Sequence, residues 1–427
     1  MPKKEFRNPW LWVPSLYLSE GLPYVVVMTV SVIMYKRLDI SNTEIALYTS
    51  WLYLPWVIKP LWSPIVDLLK TKRFWILIMQ FCIGVSLAGV ALTIPADNFF
   101  RYTLAFFWLL AFSSATNDIA SDGFYMLGLD THQQAWFVGV RNTFYRIAFI
   151  SGQGLFVIFA GHLEESTGDI SYAWLVTFVV LAVLFIFFLI YHIFILPHPV
   201  TDSKRPDVNL QSLLSEFIKT FAEFFKKKQI IIIIAFILFY RFGEAQLVKL
   251  ASPFLLDPID VGGLALSTSQ VGFAYGTVGV IALTAGGLLG GFAAAKHGLK
   301  FWLWWMVIAI NIPDVVYIFL AITQTSNFLL INVCVAIEQF GYGFGFTAFL
   351  LYLIYISEGN FKTSHYAIAT GIMALGMMLP GMFSGWLQES IGYKYFFIWV
   401  MISTIPAFII TKFIPLDAKF GIKKTNK

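Results

Sequence analysis

The sequence predicts an all-α, polytopic membrane protein of twelve transmembrane helices in two six-helix, pseudo-symmetric halves. Three observations carry that expectation. Of 427 residues, 58% are hydrophobic and only 12% charged, whereas soluble globular chains carry about 25% charged residues and lack the interior to hide so much apolar surface. The apolar runs are about 20 residues or longer and show no strict alternation, which favours helices over a barrel. The two halves also echo each other. Leu163-Glu-Glu-Ser-Thr-Gly168 returns as Leu387-Gln-Glu-Ser-Ile-Gly392, an offset of 224 residues, and the same offset pairs Gly152 with Gly376, Gly161 with Gly385 and Glu20 with Glu244. Ser41-Asn-Thr-Glu-Ile45 likewise resembles Ser267-Thr-Ser-Gln-Val271.

The expected spans are 10–36, 44–69, 73–94, 100–128, 133–161 and 172–196, then 229–257, 268–296, 299–323, 326–357, 362–390 and 392–415. This gives an N-terminal bundle over 1–196, a linker over 197–228, a C-terminal bundle over 229–416 and a basic tail over 417–427. Within the linker, Leu213, Leu214, Phe217, Ile218, Phe221 and Phe224 fall on one helical face, the pattern of an amphipathic helix on a membrane surface. The start, Met1-Pro-Lys-Lys-Glu-Phe-Arg7, resembles a signal-peptide n-region. No small-residue cleavage site follows it and the next apolar run holds Glu20 and Pro23, so a retained first helix is expected. Lys and Arg set the orientation. One side would hold Lys3, Lys4, Arg7, Lys70, Lys72, Arg73, the Lys204–Lys228 group, Lys296, Lys300, Lys362 and the tail lysines, the other only Lys36, Arg37, Arg101 and Lys394. Both termini are therefore expected in the cytoplasm.

The stretch Phe112-Ser-Ser-Ala-Thr-Asn-Asp118-Ile-Ala-Ser-Asp122-Gly123 places two carboxylates four residues apart in an apolar span, hence on one helical face. A carboxylate at bilayer depth costs at least a few kcal/mol and needs water, a partner or a proton. Two six-helix halves in parallel repeat, joined by a long cytoplasmic loop, is the layout of the major facilitator fold. In that fold the first, fourth, seventh and tenth helices line a central cavity. Glu20, Asp118 and Asp122, then Arg241, Glu244 and Lys249, then Glu338 fall on those four. Lys59, Arg141 and Arg146 lie on the second and fifth, and Asp314 follows Pro313 in the ninth without an evident role.

A carboxylate whose proton comes and goes as its solvation and neighbouring cations change can couple transport to a proton gradient. Asp118, Glu338, Glu244 and Glu20 are the proton-coupling candidates; the alternative for each is a buried ion pair that orients helices. Lys59, Arg146, Arg241, Tyr240, Tyr342 and Trp56 are the substrate-binding candidates, with Tyr17, Tyr24, Trp51, Tyr53 and Tyr275 as further aromatics able to stack on a sugar. Most membrane aromatics instead anchor to lipid. Asp122 with Arg141, and Asp67 ahead of Arg73, are the gating candidates. Arg146 lies about 7.5 Å beyond Arg141 along a helix, within reach of Asp118 or a substrate anion. Gly286-Gly-Leu-Leu-Gly-Gly291 reads as close helix packing; Gly341-Tyr-Gly-Phe-Gly345 reads as packing, bending or binding.

Cys82 and Cys334 support neither a disulfide framework nor a metal cluster. The six histidines show no ligand spacing, and no phosphate-cradling loop, nucleophile elbow or zinc helix motif is present. The chain is thus expected to be no enzyme, to take no metal and no cofactor beyond a proton gradient, and to bind no nucleic acid.

Several stretches together resemble the muropeptide permease family (AmpG-like) of the major facilitator superfamily, a branch that also includes acetyl-coenzyme A transporters. They are Gly21-Leu-Pro23, Lys59-Pro-Leu-Trp-Ser-Pro64 with Asp67, Asn117-Asp-Ile119 with Asp122, Tyr145-Arg146 with Ser151-Gly152, Tyr240-Arg-Phe-Gly-Glu244, and Glu338 with Gly343-Phe-Gly-Phe-Thr-Ala348. The resemblance implies proton-driven import of GlcNAc-anhydroMurNAc, with or without its peptide, across the inner membrane of a Gram-negative cell, by a monomer embedded in lipid. It bears on Lys59, Asp67, Asp118, Asp122, Arg146, Glu338 and the Arg241/Glu244 pair. Glu20, Arg141 and Asp314 depart from the pattern, and some members continue for further helices after the twelfth. A carrier for a simple sugar or a coenzyme A thioester, and a non-transporting receptor, stay open as alternatives.

Overall fold

The computed structural model describes residues 7–199, 202, 210–359, 362–417 and 420, and they form helices joined by short turns, with no strand among them. Nine stretches of the described residues are long and apolar enough to span a bilayer. Three further passes are not separate among those nine. Asn42–Trp51 and Leu54–Leu69 form one pass broken in its middle, Phe99–Gly128 carries Arg101, Asp118 and Asp122, and Lys362–Ser403 is two helices meeting at Gly392, whose φ is 75°. The twelve passes are α1 (Pro9–Arg37), α2 (the broken pair), α3 (Lys72–Thr93), α4 (Phe99–Gly128), α5 (His132–Thr167), α6 (Ile170–Ile195), α7 (Ile230–Leu256), α8 (Thr268–His297), α9 (Leu299–Thr323), α10 (Phe328–Ser357), and α11 and α12 on either side of Gly392, the last continuing through Ile405–Thr411.

By their own contacts the residues form two units, Met1–Leu38 with Ile58–Leu213, and Asp39–Val57 with Leu214–Lys427. The first half of α2, expected in the N-terminal bundle, thus packs with the second unit. Small residues let it approach: a Cβ at Gly385 would stand 1.9 Å from the Asn42 carbonyl oxygen, and one at Gly381 2.7 Å from Ser50 Oγ. Polar side chains then tie it down. Asn42 Nδ2 donates to Gln388 (2.7 Å) and Tyr393 Oη (2.9 Å), Tyr393 Oη donates to Asp257 (2.6 Å), and Lys249 Nζ donates to Thr49 (3.0 Å).

Outward faces carry the lipid-compatible surface. Ile190 and Phe194 on α6, Ile231 on α7 and Leu329 on α10 are all exposed, as expected where hydrocarbon replaces water. The linker helix, Leu210–Phe225, is present; much of its apolar face lies outside the described side chains. Its far end does not float. Phe224 is fully buried in the core of the second unit, and Lys227 Nζ donates to the Ile356 carbonyl.

Two helices are interrupted where charge appears. α7 stops at Phe239 and restarts at Phe242, with Arg241 in a non-helical conformation between them. α9 stops at Asn311, passes through a short 3-10 turn at Ile312–Asp314 that contains Pro313, and restarts at Val315, because proline cannot donate into the helical ladder.

α10 is held close to both neighbours by its glycines. A Cβ at Gly341 would meet the Ala309 carbonyl oxygen of α9 at 2.1 Å, one at Gly345 the Met306 carbonyl at 2.4 Å, and one at Gly343 the Leu283 carbonyl of α8 at 2.1 Å. From the α8 side, a Cβ at Gly286 would meet the Phe340 carbonyl oxygen at 2.1 Å. Both glycine tracts therefore serve backbone-to-backbone packing of the small-residue kind. Gly341→Ala is expected to lower stability by about 1–3 kcal/mol, the usual cost of overpacking, while Gly291→Ala, with nothing within 4 Å, leaves it unchanged. Denaturant titration of both variants in detergent measures the difference.

Candidate functional site

In the second unit three carboxylates converge. One oxygen from each of Glu244 (α7), Asp314 (α9) and Glu338 (α10) lies within 4.8 Å of the others, and the residues are 1%, 2% and 1% exposed. Glu244 sits in the first turn of the restarted α7, a positive helix end that favours negative charge, and Asp314 ends the 3-10 turn of α9, where the backbone stays in the right-handed helical region. The Asp314 side chain does not cap that helix. The close contact of α9 with α10 brings in the third.

Hydrogen bonds reach the three acids unevenly. Gln339 Nε2 lies 3.0 Å from each Glu338 oxygen, and Tyr317 Oη lies 3.4 Å from Glu338 Oε2. Gln339 Nε2 also donates to Tyr275 Oη at 3.1 Å. Glu244 Oε2 and both Asp314 oxygens are buried without a hydrogen-bond partner among the described residues. Arg241, one turn before Glu244, donates to Tyr342 Oη and lies over the rings of Tyr342 (5.1 Å) and Phe346 (4.6 Å).

The first unit arranges its charges differently. Lys59 of α2 pairs with Asp118 of α4. Arg141 of α5 pairs with Asp122 of α4 at 3.1 Å, which Tyr17 Oη of α1 also reaches at 3.1 Å, and the guanidinium lies 4.6 Å from the Tyr17 ring. These side chains are 23–39% exposed. Glu20 on α1 is buried, with Oε2 unpartnered among the described residues. The first unit thus presents two matched, partly solvated pairs beside one buried acid, and the second a cluster of three buried acids without ion pairs among the described residues.

Comparison with known proteins places this arrangement. The sequence pattern described as Major Facilitator Superfamily matches residues 15–358. The chain belongs to the major facilitator superfamily. "Putative transporter AmpG 4" of Rickettsia conorii is 25% identical over 413 residues, 93% of this chain and 94% of that protein. "Anhydromuropeptide permease" of Escherichia coli K12 is 24% identical over 360 residues, 83% of this chain and 69% of that protein. The crystal structure of nucleoside transporter NupG superposes with a TM-score of 0.68 at 17% identity, over 95% of this chain and 98% of that one. The chain is an AmpG-like member of the superfamily by these similarities, and the fold is that of its transporters.

Within that frame the sequence candidates separate. Asp122 and Arg141 do meet, and Glu244 and Glu338 stand in one cluster. Asp118 meets Lys59, and Arg146 lies half-buried beyond Arg141 on α5. Arg241 engages Tyr342 through a hydrogen bond, and among the described residues no ion pair joins it to Glu244. Trp56 is half-buried in the segment that joins the second unit. Arg73 donates through its side chain to the Ile193 carbonyl at 2.6 Å and through its backbone to Asp202 at 3.0 Å. The side chain of its expected partner, Asp67, lies outside the described residues.

Tyr240 is packed into the core of the second unit. It is fully buried, its ring stacks on Phe349, and its hydroxyl donates to the Gly345 carbonyl at 2.8 Å, so the core absorbs both its faces and its polar tip. Asp314, Tyr317 and Gln339 are residues that the sequence left without a role, and Tyr275, a candidate for stacking on a sugar, instead accepts from Gln339. The signal for Asp314 was the Asn311-Ile-Pro-Asp314 interruption of an apolar span.

Two outcomes follow. Lys59→Ala alone is expected to destabilise more than Lys59→Ala with Asp118→Ala, because the single change strands a charge; with both groups about a quarter exposed the gap is about 1–2 kcal/mol, below the figure for fully buried pairs. Tyr240→Phe is expected to cost about 1 kcal/mol by removing one buried hydrogen bond without altering ligand affinity. Unfolding and ligand-binding titrations check both.

Proposed function

We propose that the chain is a secondary active transporter that imports an anhydro-muropeptide, GlcNAc-anhydroMurNAc with or without peptide, together with protons by alternating access. The observation that carries the reading is buried and half-buried charge on α1, α2, α4, α5, α7, α9 and α10 of a major facilitator chain, since intramembrane ionisable residues mark transport paths. The similarity to a protein named anhydromuropeptide permease over 83% of this chain supports the cargo. Lys59, Arg146 and Arg241 are the cations proposed to meet its carboxylates, Tyr342 and Trp56 its sugar faces. Asp118 and Glu338 are the proposed coupling acids, and the Asp122–Arg141 pair the proposed gate. The proposed setting is the inner membrane of a Gram-negative bacterium, as a monomer with both termini in the cytoplasm.

A second reading has a specific observation behind it. Lys59 and Arg241 already have internal partners in Asp118 and Tyr342, which suits a neutral, sugar-like solute that needs no counter-charge.

The test is uptake of labelled GlcNAc-anhydroMurNAc into proteoliposomes in sodium-free buffer, with an imposed pH gradient and with the gradient collapsed. Accumulation is expected only with the gradient, and Asp118→Asn with Glu338→Gln is expected to abolish accumulation while sparing exchange. No uptake by folded protein removes the muropeptide, and unchanged accumulation by the double variant removes the coupling assignment.

A further inference from the structure

We propose that Glu244, Asp314 and Glu338 form a binding site for a hard, oxygen-seeking metal cation of sodium or calcium size. This goes beyond the proton-coupled reading and does not depend on which solute is carried.

The geometry is that of one coordination sphere. Cations of this class hold carboxylate oxygens at about 2.3–2.6 Å, so ligands on opposite sides of the ion stand about 5 Å apart, and the three acids lie within 4.8 Å. The orphaned oxygens supply the second observation. Asp314 is 2% exposed, both its oxygens lack a hydrogen-bond partner among the described residues, and so does Glu244 Oε2. A buried, unmatched polar atom is costly, and a charged one more so. One proton shared between two of the acids would still leave negative charge on the cluster, and one metal ion held by an oxygen of each acid answers all three residues at once.

The surroundings match that occupant. The helix end beside Glu244 stabilises its negative charge, which keeps its oxygens available as ligands. Gln339 and Tyr317 stand within hydrogen-bonding distance of Glu338, and such outer partners orient ligating carboxylates. All the ligand atoms are oxygen, as hard cations require, and no thiol or imidazole joins the set.

The experiment uses the purified full-length protein in detergent without solute, at alkaline pH. Binding of radiolabelled sodium and of radiolabelled calcium is measured in separate equilibrium dialysis arms, with choline chloride holding ionic strength constant. Saturable binding of either ion is expected, and the arm that saturates identifies the charge of the occupant. Asp314→Asn and Glu244→Gln, each confirmed monodisperse, are expected to weaken it by at least about tenfold, the loss that even outer-shell changes produce at metal sites. Asp260→Asn, on an exposed turn, leaves it intact. Absence of saturable binding in both arms overturns the proposal, as does binding that survives both variants. Stabilisation by protons with no metal bound also overturns it. A failure here leaves uptake under a pH gradient unaffected, and a failure of muropeptide uptake leaves the ion binding unaffected, so the two readings fall separately.

Discussion

Negative charge held inside an apolar helix bundle has to be answered, and the way each unit answers it organises this protein. In the first unit the answer for the two acids of α4 is a basic side chain. Lys59 meets Asp118 and Arg141 meets Asp122, in a region open enough that all four keep part of their hydration. In the second unit no basic side chain pairs with Glu244, Asp314 or Glu338 among the described residues. What backbone offers there is the start of the second segment of α7, whose first turn carries Glu244. Discontinuous helices whose ends face a midplane site are a device of secondary transporters, and here one such end falls on one of these acids.

That arrangement rests on packing. A carboxylate on α9 can share a pocket with one on α10 only if the two helices nearly touch, and the glycines of α10 allow it. Gly341 and Gly345 open the α9 side, and Gly343, with Gly286 opposite, the α8 side. The helix carrying Glu338 is therefore clamped along its length, while Pro313 tightens α9 into a 3-10 turn just at Asp314.

The fold was largely legible because its signals are local or repeated. Span length and apolar composition follow from bilayer thickness, and the shared 224-residue offset exposes the duplication. The site was legible in parts. Asp122 and Arg141 were matched by depth along neighbouring helices, and Glu244 and Glu338 by their place on helices that line the cavity in this fold. The packing of Tyr240 was not legible because composition cannot say which way a ring points; its neighbours Phe236 and Phe349 close over it. The first half of α2 was assigned by sequence order, whereas Asn42, Thr49 and Gly385 join it to the second unit.

By itself, then, the sequence determined the membrane class, the helix count, the internal repeat and the inventory of buried charge, since each depends on composition and on spacing along the chain. Tertiary structure alone decided which charges meet. An ion pair or a shared pocket is fixed by distances between residues far apart in sequence, and neither periodicity nor depth reports them. Asp314 shows the difference most clearly: an isolated acid after a proline in the sequence, and the third member of a carboxylate cluster once α7, α9 and α10 have packed.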